Sequence, residues 1–454
     1  MTSDLRDRAV RAAVEQGLLG AEQPVTALLD VAGLRASAAA LRAAFAAVTG
    51  APVLHAFAVK AAPLVPVLAL LHAEGLGAEA ASPGELAIAR AAGLPPERIV
   101  LDSPAKTRAE LREALALGVA VNADNPQELA RLDALTAAAP TASPIGLRVN
   151  AQVGGGSIGA LSTATATSKF GFPLTDPGAR RHLVRSAVER PWLTRLHTHS
   201  GSQGMALDRM ADAVEAAYLL AEEINAAAGE RRIDTVDIGG GLPVNFASEA
   251  HAPSFREYAE LLAARVPGLF DGRYGLVTEF GRSLVAKHGL VLARVEYTKS
   301  AGGRPIAVTH AGVQVATRTV YAPESWPLRI TAYDAAGAPR TGPPVEQDVA
   351  GPACFAGDLL AERRPLPLLH PGDVVAALDT GAYCFASHYG YNSLPRVAVH
   401  GWTDGPGGIS FATVREAQAP GEIVAEAGAG HRDALLPRPA ARGRLSDPGD
   451  SMKA

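Results

Sequence analysis

From residue 24 to about residue 290 the chain alternates short, almost wholly apolar runs with alanine-rich stretches of helical period. The apolar runs predict strands at 53–59, 77–80, 99–102, 119–122, 145–150, 193–198, 235–238 and 275–279, with helices such as 83–92 and 205–227 between them. Strands that are apolar on both faces are buried on both, as in a parallel sheet covered by helices. About eight strand–helix units in roughly 260 residues predict a (β/α)8 barrel. Ahead of it, residues 4–19 read as an amphipathic helix and 24–30 as a short strand. After residue 290 the pattern becomes short strands (294–297, 306–309, 328–332, 374–378) with Gly/Pro turns and little helix, which predicts a mainly antiparallel β domain. The last 35 or so residues lack periodicity and read as a mobile tail. The expected division is 1–28 (helix and strand packing on the β domain), 29–291 (barrel), 292–418 (β domain) and 419–454 (tail).

Composition narrows the function classes. Of 454 residues, 48% are hydrophobic and 19% charged, enough to bury two cores. The net charge of −4 and the lack of a basic stripe argue against a nucleic-acid partner. The first residues show no basic-then-apolar leader, and no run reaches the ~18 apolar residues of a membrane span. A cytoplasmic location is the expectation. Two cysteines, Cys354 and Cys384, exclude a disulfide scaffold and a cysteine-rich zinc module. Lysine occurs only at 60, 106, 169, 287, 299 and 453, so a lysine in an apolar segment is informative.

Lys60 ends the apolar run 53–59. Burying an unpaired ammonium is costly and makes a lysine nucleophilic, whereas at a strand end it can also reach water. Its place at the C-terminal end of a barrel strand favours function, because barrel active sites lie on that face. Asp237-Ile-Gly239-Gly240-Gly241 follows another strand and is either a phosphate cradle of converging N–H groups or a tight turn. Glu279-Phe-Gly-Arg282 closes the next strand as a site pair or a surface ion pair. His197-Thr-His199 ends the strand before the glycines; no third ligand cluster accompanies the two histidines, so no metal is expected and a stacking or proton-transfer histidine fits better. A Schiff-base lysine, a stacking histidine, a glycine phosphate cradle and a carboxylate for a pyridine nitrogen together describe a site for pyridoxal 5'-phosphate.

These motifs resemble, in order, those of the fold-type III pyridoxal-phosphate-dependent decarboxylases, the group of diaminopimelate and ornithine decarboxylases. Phe57-Ala-Val-Lys60 resembles Y-A-V-K-A-N, His199-Ser-Gly-Ser202-Gln resembles H-I-G-S-Q, Asp237 to Gly241 resembles D-I-G-G-G, and Glu279 to Arg282 resembles E-P-G-R. Gly351-Pro-Ala-Cys354-Phe-Ala-Gly-Asp358 resembles G-P-x-C-x-x-x-D, and Gly381-Ala-Tyr383 and Tyr391-Asn392 resemble the closing G-A-Y and Y-N. The resemblance spans about residues 24–400 and implies an alanine racemase-like barrel plus β domain. It implies that Lys60 holds the cofactor as a Schiff base, His199 stacks on the ring and Glu279 pairs with the pyridine nitrogen. Gly240, Gly241, Arg282, Ser202 and Tyr383 would hold the phosphate, with Glu79 and Arg148 near the Schiff base. Cys354, from the partner subunit of a homodimer with shared active sites, would protonate the carbanion left by CO2 loss. Arg318, Phe355, Asp358 and Tyr391 would meet the substrate.

Three departures bear on the substrate. Where the diaminopimelate and ornithine enzymes carry an acidic residue after the cysteine, this chain has Phe355. The family's R-P-x-x-Y clamp appears only as Arg318-Thr-Val-Tyr321, one residue short, so that on a strand the two side chains would face opposite sides. Ala62 replaces the asparagine of the lysine motif and Phe280 the proline beside Glu279. The expected activity is decarboxylation of an amino acid that is not strictly diaminopimelate or ornithine, such as a siderophore or antibiotic intermediate with an apolar or bulky distal end. The alternative is a pyridoxal-phosphate-dependent racemase or epimerase. A silent protein of the same fold would be expected to lose the lysine or the phosphate residues, and all are present.

Overall fold

The computed structural model describes residues 2–436. The eight apolar runs form eight strands: Val53–Ala58, Gly77–Ala80, Ile99–Leu101, Ala120–Ala123, Ile145–Asn150, Leu193–His197, Thr235–Asp237 and Gly275–Thr278. Each pairs in parallel with the next, and the last pairs with the first, closing the barrel. The helices between them start where the sequence supplies caps: Ser82, Thr107, Asn125 and Ser254 each accept from the backbone N–H three residues on.

Inside the barrel the apolar floor is thin, made of Ala56, Val100, Ala120 and Val277 with Leu54 against them. Alternate residues of a strand share a face. Two residues beyond the floor, the same inward face therefore carries Ala58, Asp102, Asn122 and Glu279. Register adds Glu79 beside Ala58, Arg148 two beyond the partner of Asn122, His197 beside Arg148, and Asp237 beside Val277. All these polar side chains are buried. The barrel thus passes from an apolar floor to a charged interior at its C-terminal mouth.

The second sheet has nine strands. Its order runs Leu359–Pro367, Pro344–Ala350, Arg304–Thr309, Gly289–Ala301, Val25–Asp30, Ala398–Gly405, Gly408–Arg415. Val374–Leu378 also pairs with Gly289–Ala301 and carries Ile330–Tyr333. Two pairings are parallel (Val25–Asp30 with Ala398–Gly405, Arg304–Thr309 with Pro344–Ala350) and the rest antiparallel. Helix Ser3–Glu15 lays Ala9, Val10 and Ala13 on Leu28, Leu290, Leu292, Leu378 and Trp402. Where the chain leaves the barrel, Gly381 lies so close to Val285 that a Cβ there would sit 1.9 Å from the Val285 carbonyl oxygen.

Three expectations change. Strand Gly289–Ala301 runs across the expected boundary at residue 291. Residues Val313–Tyr321 form a helix, kinked at Ala316, and not a strand. Its first turn is held by Asp358, whose Oδ1 accepts from the Val313 N–H at 2.6 Å, and this fixed N-terminus outweighs a β-branched sequence. The strand alternation expected for Arg318 and Tyr321 therefore does not apply to them. In the expected tail, Pro420–Glu426 form a helix, while 437–454 lie outside the described residues. Among the described residues no helix is long and apolar enough to cross a membrane.

Candidate active site

A cavity of about 240 Å³ opens at the C-terminal mouth of the barrel. Lys60, His199, Ser202, Gly241, Glu279, Arg282, Arg318 and Tyr383 line it, with Phe170. Lys60 sits in the single 3-10 turn Val59–Ala61 that follows the first barrel strand. Its Nζ donates to Glu79, and its side chain remains 40% exposed to the cavity while Glu79 is buried. Burial works against the ammonium, but Glu79 and Glu279 outweigh it and hold Lys60 above its ordinary range. Burial pushes Glu79 up, and Lys60 pulls it back. The β domain grips this turn, since the Tyr383 N–H donates to the Ala61 carbonyl at 2.7 Å.

The glycine run cannot carry side chains. A Cβ on Gly240 would lie 2.1 Å from the Glu279 carbonyl oxygen, and one on Gly241 (φ +98°) 2.2 Å from that of Gly201. The Gly240 N–H donates to His199 Nδ1 at 3.1 Å. Burial, helped by Arg148, drops His199 to about 3, so its ring is neutral. At this end of the cavity two guanidiniums converge. Arg282 lies 4.4 Å from both the Tyr383 and Trp326 rings, and Arg318 lies 4.2 and 5.1 Å from the same rings. Arg282 Nη2 also reaches Ser202 Oγ at 3.5 Å. Burial, then the neighbouring Arg318, lowers Arg282 to about 10. Neither Arg282 Nε nor Arg318 Nη1 has a partner among the described residues.

Glu279 closes the other side. Its Oε2 lies 3.4 Å from His197 Nε2, and its buried Oε1 has no partner among the described residues. His197, fully buried, presents Nδ1 to Asp102 Oδ2 at 2.7 Å. Arg148 follows at 3.7 Å from Asp102 and 3.9 Å from Asp124, stacked 4.4 Å over Phe170. Sequence reasoning gave Asp102 and Asp237 no role. The available signal was an acidic residue ending a buried barrel strand. The absence of a third ligand near the two histidines is also corrected, since ring nitrogens of His197 and His199 and a Glu279 oxygen lie within 4.8 Å of one another. Of these, His199 Nδ1 already accepts from the Gly240 N–H, and His197 lies between the Asp102 and Glu279 carboxylates.

The remaining expected residues gather elsewhere. Cys354 is exposed, its N–H donating to Asn392 Oδ1 at 2.7 Å. Phe355 stacks on Tyr321 (5.9 Å, 8°) and meets Tyr391 edge-on at 6.0 Å, and Tyr321 Oη bonds Tyr389 Oη at 3.0 Å. Tyr321 and Tyr391 are 57% and 43% exposed, leaving an open aromatic face beside the thiol. Asp358 does not join a substrate site: it is buried, with its Oδ1 on the Val313 N–H and its Oδ2 accepting from the Ala353 N–H at 2.7 Å. It orders the Cys354 loop and the helix. None of these four (Cys354, Phe355, Asp358, Tyr391) lines the Lys60 cavity.

Residues 33–286 match the family described as pyridoxal-dependent decarboxylase, pyridoxal binding domain. Diaminopimelate decarboxylase of Pseudomonas aeruginosa is 34% identical over 78% of this chain and 82% of its own length. The enzyme of that name from Deinococcus radiodurans is 33% identical over 81% and 88%. The crystal structure of diaminopimelate decarboxylase from Helicobacter pylori complexed with L-lysine has the same fold, with TM-score 0.79 over 92% of this chain and 99% of that one at 24% identity.

The cofactor of this family fits the cavity. A buried carboxylate oxygen without a partner awaits a donor, the glycine turn packs where no Cβ fits, two guanidiniums face the same end, and one lysine reaches in. With both the motif order and the cavity in agreement, this chain belongs to the pyridoxal-dependent decarboxylases and is a pyridoxal-phosphate-dependent amino-acid decarboxylase.

Proposed function

We propose that this enzyme decarboxylates an amino acid with an apolar or bulky distal end, at sites shared between the two subunits of a homodimer. The observation that carries the reading is the pairing of a complete cofactor cavity with an aromatic wall beside Cys354, where Phe355 stands in place of an acidic residue.

Bound pyridoxal phosphate supplies an aldehyde carbon for the substrate amine and a pyridinium ring that accepts the electron pair left when CO2 departs. Lys60, whose side chain lines the cavity, would hold the aldehyde end of the cofactor. Glu79, against the Lys60 Nζ, helps to set its charge. His199, neutral and fixed through Nδ1, covers one ring face. Glu279, with Oε1 unpartnered among the described residues, would hold the pyridine nitrogen and stabilise charge there. Gly240, Gly241, Ser202, Arg282 and Tyr383 hold the phosphate, and Arg148 lies near the reacting carbon. Cys354 of the partner subunit delivers a proton to Cα. The exposed aromatic face is a surface that a second copy of the chain would cover, which supports the shared site. Beyond Cα, Phe355, Tyr321 and Tyr391 offer ring surfaces and no carboxylate for a distal ammonium, so a strict diamino-acid substrate is disfavoured. Arg318, inside the cavity, reads an anionic or polar group of the substrate.

The test incubates the loaded enzyme in heavy water with a panel of L- and D-amino acids and follows the products by mass spectrometry. An amine that has lost its carboxylate and carries deuterium at the former α-carbon is the expected product, and the responding compound names the substrate class. Deuterium at Cα with the carboxylate retained would instead make this a racemase. In parallel, Phe355→Glu is expected to gain turnover of diaminopimelate, lysine or ornithine. No gain would remove Phe355 from the account of specificity. Mixing inactive K60A and C354A proteins is expected to restore roughly a quarter of the activity through mixed dimers, and no recovery would refute the shared site.

A further inference from the structure

Inside the barrel mouth four acidic side chains (Glu79, Asp102, Asp237, Glu279) crowd together, all buried. The cations facing them include Lys60, Lys106, Arg148 and the His197 imidazole when it carries two protons. His197 is fully buried, with a carboxylate oxygen at each ring nitrogen: Asp102 Oδ2 at 2.7 Å from Nδ1 and Glu279 Oε2 at 3.4 Å from Nε2. A neutral imidazole donates from only one nitrogen and would turn a lone pair toward the other carboxylate; only the imidazolium presents an N–H to both. Neither contact meets hydrogen-bond geometry, so both are ion-pair distances, and they place an anion on each side of a doubly protonated ring.

We propose that Asp102 is a positioning residue for the cofactor site: acting through His197, it keeps Glu279 anionic and oriented, with Oε1 free toward the pyridine nitrogen. The proposal rests on the role given above to Glu279. Burial opposes the charge on His197, and Asp102 first, then Glu279 and Asp237, outweigh it and raise the imidazole well above its ordinary range. Burial likewise pushes Glu279 up, and His197 brings it below the usual carboxylate range. Asp237, raised by burial and then by Glu279, accepts the Gly239 N–H at 2.9 Å. The other groups facing Glu279 are Lys60 and His199, whose Nδ1 is 3.9 Å away; those facing Asp102 are Arg148 and Lys106. Of these, only His197 meets both carboxylates.

The experiment is an imidazole ¹⁵N titration of histidine-labelled protein, without and with pyridoxal phosphate, with the His197 signal assigned from its loss in H197Q. Wild-type His197 is expected to stay doubly protonated above the ordinary histidine range near about 6.5. In D102N its midpoint should fall by about 1–3 units, a ten- to thousandfold loss in proton affinity. In the loaded enzyme D102N should alter the cofactor absorption band and lower kcat with little change in KM. D102N combined with H197Q should be no worse than H197Q alone. A His197 midpoint unchanged by D102N, or a shifted midpoint with unchanged absorption and kcat, would overturn the proposal. If D102N does not fold, Asp102→Glu, which keeps the charge, must keep His197 doubly protonated; a midpoint back in the ordinary range would refute the proposal. Failure of the underlying role of Glu279 shows separately, as an E279Q variant whose cofactor absorption is unchanged while the His197 titration still responds to Asp102.

Discussion

Replacing Gly240 by alanine adds one methyl group at the tightest point of the cofactor cradle. The new Cβ would lie 2.1 Å from the Glu279 carbonyl oxygen, 2.6 Å from its carbon and 3.2 Å from the Phe280 nitrogen. Heavy atoms that are not hydrogen-bonded settle at about 3.5 Å, so either the glycine turn or the strand end bearing Glu279 must retreat by about 1 Å. The obstructing atoms are backbone, so no side chain can swing aside. Forcing a group into a packed site costs about 1–3 kcal/mol, which should appear as a melting point a few degrees lower in the cofactor-free protein. The same displacement moves the Gly240 N–H away from His199, and the carboxylate of Glu279 away from its place, in one step. A misplacement of about 1 Å at a reacting centre is worth about a hundredfold in rate. The assay is a pyridoxal phosphate titration followed by absorbance, with thermal melting of the cofactor-free form and turnover of the substrate found in the amino-acid panel. Gly50→Ala is the matched control, because nothing lies within 4 Å of its Cβ and its φ is not positive. It should change stability by no more than about 0.5 kcal/mol. Wild-type affinity and turnover in G240A would refute the claim that this turn is fixed by backbone contact.

Borohydride reduction of the loaded enzyme followed by peptide mass spectrometry should place the cofactor on Lys60 and leave K60A unlabelled; label on Lys106 or Lys287 in the wild-type enzyme would refute the assignment. Trp326→Leu removes the ring shared by Arg282 and Arg318, a contact worth about 0.5–2 kcal/mol, and should weaken cofactor binding about two- to thirtyfold. Trp326→Phe should recover part of the loss, and equal affinity in all three proteins would remove the ring from the phosphate end. His55 is lowered to about 4 by burial, then by Arg42 and Arg98, so the folded protein holds it neutral while the unfolded chain titrates near 6.5. Between those values the unfolded state binds more protons. Stability from this group is therefore full above the unfolded value, is lost as pH falls toward 4, and amounts to about 3 kcal/mol in all. His55→Gln should flatten the acid limb of the stability curve by that amount, and a limb unchanged in H55Q would refute the linkage.

The barrel was legible because its strands are buried on both faces and so read as short apolar runs, all eight of which form strands within a residue or two of their expected ends. The residues around the cavity were legible because barrel chemistry gathers at the C-terminal strand ends, where Lys60, His199, Gly240 and Glu279 stand at or just beyond those runs. Two things were not. The segment from Val313 to Tyr321 alternates β-branched and other residues like a strand, yet forms a helix because Asp358, far along the chain, accepts its first N–H. Local propensity cannot register a cap supplied by another element. The Asp102–His197–Glu279 chain joins three strands whose inward register only the closed barrel defines. Asp102 was visible as the end of a strand, but which imidazole it would meet depends on the stagger of the sheet.

The departures from the family motifs separate by where the structure puts them. Phe280, in place of a proline, is buried and packs against Phe255 at 5.3 Å and Tyr258 at 6.1 Å, on the helix side of the barrel wall. Ala62 is likewise buried. Both changes are absorbed by the core beneath the site, and neither reaches the cavity lining. Arg318 and Phe355 behave differently. The helix that replaces the expected strand turns Arg318 into the cavity, beside Arg282, and carries Tyr321 out to stack on Phe355. One short helix thus serves both ends, a guanidinium on the cofactor side and a phenol on the aromatic face. A carboxylate at 355 would stand among three tyrosine rings, with Tyr321 already bonded to Tyr389, and would gain no cationic partner from them. The aromatic wall and the missing acid therefore occupy one place in the structure, the face beside Cys354.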